Sequence, residues 1–229
     1  MNLTKEELET PRTARDYLGW VKRRIAHAGT CDMRGIRLRQ GLSKHLLEEA
    51  LPIGYFAKRH FLSSEDVKIS LIIGNQGYDA VVEDSRLPVP ATLYIEVTLA
   101  NEDYETHLRR ELLHEAGLSH RFGPIWRQDK SVAQQPCLAS QAEVIEFEFR
   151  AFTKAISRKL SIQYPEPTVL VVGFDDIMSF DRQDNLSNIE HAVRQSLPAP
   201  PPFIGVAVVG LVQNTFIWIG SDVQPNPRA

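Results

Sequence analysis

The hydrophobic pattern along the chain predicts helices and strands that alternate. Apolar residues at helical spacing predict a helix over residues 10–29 that ends at Gly29. A second helix is predicted over residues 42–62, with Ser43 as its N-cap. Pro52 should kink or break this helix, because proline lacks the amide hydrogen that a helix interior uses. Residues 66–77 then read as an apolar strand closed by turn residues.

Two short apolar arms follow and predict a β-hairpin. The arms are residues 80–82 and 92–100, and Pro88 and Pro90 lie in the connection, since proline is excluded from a central ladder. Further along, the pattern predicts a helix (101–117), a polar loop or small inserted hairpin (118–139), an amphipathic helix (140–160), a buried strand (168–176), a short helix (187–197) and a closing hairpin (203–220). The order predicts an α/β fold whose mixed central sheet, an antiparallel meander plus a crossover strand, is flanked by helices.

We expect one domain, because 229 residues suffice for one core and no repeat or long linker divides them. Its predicted parts are a basic N-terminal helical extension (1–40), a core (41–176), a C-terminal helix and hairpin (177–220) and a disordered tail (221–229).

Composition restricts the cellular location of the protein more than it restricts its activity. Cys31 and Cys137 lie far apart, which argues against a disulfide framework and a thiolate zinc site. The N-terminus has no hydrophobic signal region, and the longest apolar run (203–212) is about half a membrane span. We therefore expect a soluble, cytoplasmic protein that does not bind a membrane.

The net charge of −3 gives no general attraction for nucleic acid, but the charge is uneven. Between residues 12 and 39 there are eight Lys or Arg residues and two acids. This segment is either a solvated surface or a contact for a phosphate backbone. The candidate contacts are Arg12, Arg15, Lys22, Arg23 and Arg24.

Carboxylates interrupt both arms of the predicted hairpin. Glu96 and Thr98 share one face of their strand, because strand residues two apart point the same way. If the connection folds symmetrically, the opposed pairs are Asp79–Glu96, Val81–Tyr94 and Glu83–Thr92. Like charges in opposed positions are destabilising, and a bound divalent cation would remove the conflict. Alternatively, these acids form the wet face of a half-exposed hairpin, and a one-residue slip would separate them.

These residues resemble the restriction-endonuclease-like, or PD-(D/E)XK, superfamily of metal-dependent nucleases, over roughly residues 40–175. The resemblance implies that Asp79 is the first motif acid and that Glu96, in "IEVT", is the second. It also implies a Mg²⁺ or Mn²⁺ site made by Asp79, Glu96 and the Val97 carbonyl, with Glu48 or Glu49 holding a metal-bound water. Thr98 stands where the motif has lysine, so we expect it to position the nucleophile by hydrogen bonding alone. Lys68 is a possible replacement for that lysine.

Other motifs provide less information about function. His114–Glu115 lacks the second histidine of a zinc-protease helix, since position 118 is Leu118. Asp175 and Asp176 end a buried strand, where they either cap the chain or form a site. We therefore expect a metal-dependent endonuclease or exonuclease that acts on DNA or RNA, and a homodimer would suit the cutting of duplex DNA. The alternative is a catalytically inactive domain of the same fold that binds nucleic acid or protein.

Overall fold

A seven-stranded mixed sheet crosses the middle of the protein, with helices on both faces. The computed structural model describes residues 3–86, 88–100, 103–177 and 182–220, so the predicted tail lies outside the described residues. The strands are β1 (Arg12–Thr13), β2 (Val67–Leu71), β3 (Ala80–Asp84), β4 (Ala91–Leu99), β5 (Ile125–Gln128), β6 (Ser131–Gln134), β7 (Thr168–Phe174), β8 (Gly205–Gly210) and β9 (Phe216–Gly220). The order in the sheet is β1-β2-β3-β4-β7-β8-β9, and β5 and β6 form a separate hairpin.

The helices divide into two layers and a side unit. They are α1 (Lys5–Glu9), α2 (Ala14–Cys31), α3 (Met33–Leu38), α4 (Leu42–His45), α5 (Leu51–His60), α6 (Tyr104–Ala116), α7 (Gln141–Leu160) and α8 (Arg182–Ser196). Helices α2 and α5 pack on one face of the sheet, and α7 and α8 pack on the other. Helix α6 and the β5–β6 hairpin share a small core of their own around Leu108.

The predicted α/β class and the mixed sheet are confirmed. Strands β2, β3 and β4 form the antiparallel meander, whereas β4, β7 and β8 run parallel. Parallel neighbours need crossover connections, and α7 and α8 lie in the two that the chain makes here. Because helices cover both faces, all seven residues of β7 are buried. The closing hairpin also forms, with β8 and β9 antiparallel on either side of residues 211–215.

The hairpin register follows the symmetric prediction until its last pair. Val81 lies opposite Tyr94 and Glu83 opposite Thr92, as expected. Just before the start of β3, however, the amide of Asp79 donates to the carbonyl of Ile95 at 2.8 Å, although Ile95 is the partner of Ala80. Two successive residues thus lie opposite one, which is the arrangement of a β-bulge. The predicted direct pair between Asp79 and Glu96 is therefore wrong.

The N-terminal segment is more than an extension. Leu8, Tyr17, Leu18 and Val21 are buried in the same cluster as the sheet, and β1 pairs with β2. Helix α2 continues through Gly29, where it was predicted to stop, and ends at Cys31. The residue that caps this end does not adopt the left-handed conformation.

The second predicted helix is unbroken but irregular. Helix α4 begins after Gly41 and not after the predicted cap Ser43, which is buried. A π-helical turn (Leu46–Ala50) joins α4 to α5, directly before Pro52. Such turns widen the helix by one residue and often occur at functional sites. In the part of the chain that the structure describes, no helix combines the length and apolar character needed to cross a membrane.

Candidate functional site

The bulge at the start of β3 sets the position of the Asp79 side chain. Its carboxylate oxygen Oδ2 accepts a hydrogen bond from the Val97 amide at 2.7 Å. Since the amide and carbonyl of one strand residue point to the same side, the Val97 carbonyl also faces the space beyond β3. Asp79 and the Val97 backbone therefore face the same space, as the resemblance implied.

Glu96 lies next to this space and is ion-paired. It projects from β4 toward α7, and only 5% of the residue is exposed. The Nζ atom of Lys159, in the last turn of α7, contacts Glu96 Oε1 as a hydrogen-bonded salt bridge. A lysine thus reaches Glu96 from a helix, while position 98 on β4, where the resemblance led us to expect a lysine, holds Thr98.

Asp79 has a strongly perturbed carboxyl group. Burial raises its pKa to about 7, and the nearby carboxylates of Glu96 and Glu49 act in the same direction. The hydrogen bond from Val97 and the charge of Lys159 oppose this shift without cancelling it. Asp79, Glu96 and Glu49 therefore lie close enough to interact, and the positive charge of Lys159 does not compensate all three carboxylates.

The π-helical turn supplies the third acid. His45 Nδ1 lies 2.8 and 2.9 Å from the two carboxylate oxygens of Glu49, and this hydrogen bond raises the pKa of His45. Glu48 is paired with other residues, since its Oε1 lies 3.5 Å from Arg39 and 3.9 Å from Arg110. Of the two glutamates considered from the sequence, Glu49 is the one that acts electrostatically on Asp79.

Together these residues line a cleft of about 340 Å³ between the π-helical turn and α7, which we call the acidic cleft. Its lining consists of Lys44, Glu48, Glu49, Asp79, Val97, Thr98, Leu99, Arg158, Lys159 and Ile162. Thr98 is thus part of the lining of the acidic cleft. Glu96 is adjacent to the cleft, because it forms a salt bridge with the lining residue Lys159. Lys68 is not at the site, because it is exposed on β2 opposite Glu83, two strands away from Glu96.

The basic residues predicted from the N-terminal segment are dispersed. Arg12 donates to the carbonyl groups of Thr10 and Glu7 and stacks over Trp20, and Arg24 pairs with Glu7 at 2.9 Å. These two guanidinium groups are therefore used within the fold, which corrects the expectation that they face a ligand.

The other three basic residues of that group are exposed. Arg15 pairs with Glu65, Lys22 lies 4.9 Å from the centre of the Tyr55 ring, and Arg23 is exposed on the same helix. Within the described lining of the acidic cleft, the positive charges come instead from Lys44, Arg158 and Lys159.

The residues suit a magnesium or manganese ion, although they do not form a complete protein cage. Among the described residues, no three His, Cys, Asp or Glu side chains converge as a metal-binding group. Mg²⁺, however, is commonly held by one or two carboxylates, with waters and substrate phosphates completing its coordination. Asp79, Glu96 and the Val97 carbonyl are donors of this kind, and the carboxylates of Glu96 and Glu49 near Asp79 are the negative charge that a cation would offset.

Of the two acids that follow β7, Asp176 has a structural role. Asp176 is buried and accepts hydrogen bonds from the amides of Val212, Gln213 and Thr215, at 2.8, 2.8 and 3.1 Å. Burial alone would raise the pKa of Asp176, but these hydrogen bonds and the Thr215 side chain lower it below its ordinary value. Asp176 therefore holds the β8–β9 connection, as the capping interpretation predicted.

Lys159 is the functional candidate that the sequence interpretation missed. The available signal was its spacing, because Lys159 lies three residues after Ile156 and so beside the apolar stripe of α7 that contacts the sheet.

No family model, curated protein or solved structure matches this chain.

Proposed function

We propose that this protein is a metal-dependent nuclease that hydrolyses phosphodiester bonds in DNA or RNA. The observation that carries the proposal is the convergence of Asp79, Glu96 and Lys159 at one cleft, two acids from one hairpin and a lysine from the following helix. The order α5, β2–β3–β4, α7, β7 supports a restriction-endonuclease-like core, because it follows the helix, meander, helix and strand of that superfamily.

Each residue has a role in this proposal. Asp79, Glu96 and the Val97 carbonyl would hold Mg²⁺ or Mn²⁺, which supplies an activated water and neutralises charge on the scissile phosphate. Lys159 compensates the charge of Glu96 and places an ammonium group where negative charge develops. Thr98 offers a hydroxyl for hydrogen bonding, and Glu49 adds negative charge from the π-helical turn.

Substrate binding in the acidic cleft requires positive charge beside the acids. Lys44 and Arg158 line the cleft on opposite sides of it, one from α4 and the other from α7. Phosphate contacts of this kind hold the backbone in register and carry little sequence information. The proposed activity is therefore directed at the phosphodiester backbone.

The test is cleavage of labelled single- and double-stranded DNA and RNA with Mg²⁺ or Mn²⁺. We expect cleavage by the wild type and a loss of at least about a hundredfold in Asp79→Asn, Glu96→Gln and Lys159→Met. Lys154→Met is the matched control, because Lys154 lies on the same helix with 64% of its side chain exposed and should leave cleavage unchanged.

Two results would reject the proposal. Activity that survives Asp79→Asn and Glu96→Gln belongs to another site or to a contaminant. Nucleic-acid binding without cleavage under any metal condition favours the alternative, a catalytically inactive binding module. In that case binding should weaken steeply with salt, since each phosphate contact releases counterions.

A further inference from the structure

A second pocket lies beside the acidic cleft and is lined by arginines. It has a volume of about 380 Å³ and is bounded by α6, the end of β7, the start of α7 and residues 119–121; we call it the arginine pocket. Its cationic lining consists of Arg39, Arg109, Arg110 and Arg121, whereas Asp175 is its acid. The volume is in the range of pockets that hold small ligands.

The arginine pocket and the acidic cleft are direct neighbours. Leu99, at the end of β4, lines both of them. Glu48 lines the acidic cleft, and its carboxylate lies 3.5 Å from Arg39 and 3.9 Å from Arg110, which line the arginine pocket. A strand that passes through the cleft therefore has this pocket within reach of its next unit.

The arginines are held in place from outside the pocket. Arg109 donates to the Gly123 carbonyl at 2.9 Å and to Glu105 at 3.1 Å, and Arg121 contacts Glu148 at 2.9 Å. The Nε of Arg109 is buried and has no hydrogen-bond partner among the residues that the structure describes. Fixed guanidinium groups suit a phosphate, because their planar donors match its oxygen atoms.

The remaining wall is apolar and aromatic. Phe147, Phe174 and Leu113 contribute to it. Aromatic side chains in such positions stack with nucleobases, and the charged side of the same pocket suits the attached phosphate. A ligand that combines an anion with a flat apolar group fits this combination better than a simple anion does.

We propose that the arginine pocket binds one phosphorylated nucleotide unit of the substrate strand. The identity of the ligand rests on the proposed function, but the pocket itself contains none of the residues assigned to metal binding. Arg110 and Arg121 bind the phosphate, and the Phe147 wall contacts the base. The pocket thereby positions the strand for hydrolysis in the acidic cleft.

Binding is tested without metal, so that cleavage plays no part. Calorimetric titration in EDTA would compare thymidine 5′-monophosphate, thymidine and inorganic phosphate. We expect the monophosphate to bind at least about tenfold more tightly than either of its parts, because only it uses both walls. Equal affinity for phosphate and monophosphate would overturn the nucleotide assignment, and no binding of any ligand would overturn the pocket.

Variants separate ligand binding from structural ion pairing. Arg110→Gln and Arg121→Gln should each weaken monophosphate binding about tenfold, whereas Arg150→Gln, exposed on α7, should not change it. Glu148→Gln removes the negative charge beside Arg121 but keeps an oxygen that can accept its hydrogen bond, so it should strengthen binding several-fold. If Glu148→Gln leaves binding unchanged or weakens it, Arg121 has only a structural role and the proposal fails.

This experiment also distinguishes the pocket from the proposed activity. Asp79→Asn should abolish cleavage and retain monophosphate binding. A wild type that binds the monophosphate but cleaves nothing supports the pocket and contradicts the nuclease. A wild type that cleaves nucleic acid but does not bind the monophosphate supports the nuclease and contradicts the pocket.

Discussion

Asp79→Asn should stabilise the protein at neutral and alkaline pH while it removes the proposed activity. The carboxyl of Asp79 has an ordinary pKa near 3.8 that rises to about 7 in the folded protein, first because of burial and then because of Glu96 and Glu49. The folded state therefore keeps its proton over a range in which the unfolded chain has lost it. Asparagine is neutral at every pH and retains an oxygen that accepts from Val97.

The magnitude follows from this difference. At about 1.4 kcal/mol for each pH unit, the cost of ionising Asp79 in the folded state approaches about 4 kcal/mol at most. The sign is fixed, because a raised carboxyl pKa gives stability that is present below about pH 4 and is lost progressively up to about pH 7. Above that range the loss is constant.

Urea unfolding between pH 4 and pH 8 measures the effect. We expect the free energy of unfolding of Asp79→Asn to exceed that of the wild type by an amount that grows from pH 4 to pH 7 and then levels off. His45 also has a raised pKa, because of its hydrogen bond to Glu49, and its stabilisation likewise disappears as pH rises through that pKa. The comparison removes most of this contribution, since both proteins contain His45. Parallel pH profiles for the two proteins would refute the assigned environment of Asp79.

Three further predictions concern the same fold. Lys159→Met should lower the free energy of unfolding by about 3 kcal/mol in urea titrations, because it leaves the buried Glu96 carboxylate without its partner. The double variant that also carries Glu96→Gln should recover most of that loss. The control Lys154→Met should change the free energy of unfolding by less than about 0.5 kcal/mol. Mg²⁺ should raise the melting temperature more at pH 8 than at pH 5, since protons compete for Asp79, and equal shifts at both pH values would contradict a site there. Asp176→Ala should cost about 3 kcal/mol, because three backbone amides lose their acceptor, and a loss below about 1 kcal/mol would show that this connection is held in another way.

Much of the sheet was predictable because strand parity and burial leave few alternatives. A symmetric connection fixed the Val81–Tyr94 pair, and the all-apolar run after residue 168 identified a strand covered on both faces. The bulge at Asp79 was not predictable, because its sequence is compatible with both a regular pair and an extra residue. Nor does the sequence around Pro52 specify whether the helix kinks, breaks or widens into a π-helical turn.

Which of the basic N-terminal residues are held within the fold was not predictable for a related reason. Local charge counts treat every arginine of an amphipathic segment alike, whereas contacts with Trp20 and Glu7 engage Arg12 and Arg24 within the fold. The cations that line the acidic cleft come from two helices, α4 and α7, which only the tertiary structure brings together. Sequence spacing is therefore a better guide to residues on one hairpin than to those that converge from different elements.

The position of Lys159 also changes what Thr98 implies about catalysis. A lysine at position 98 would reach the acids from β4 itself, through the two-residue periodicity of one strand. Here the ammonium group arrives from α7, whose Phe152 and Ile156 pack against the sheet on the face toward which Glu96 points. The charge beside Glu96 thus depends on a tertiary contact instead of on a motif. Thr98 consequently does not by itself identify an inactive domain, and the choice between enzyme and binding module depends on whether Lys159 and the two acids act together.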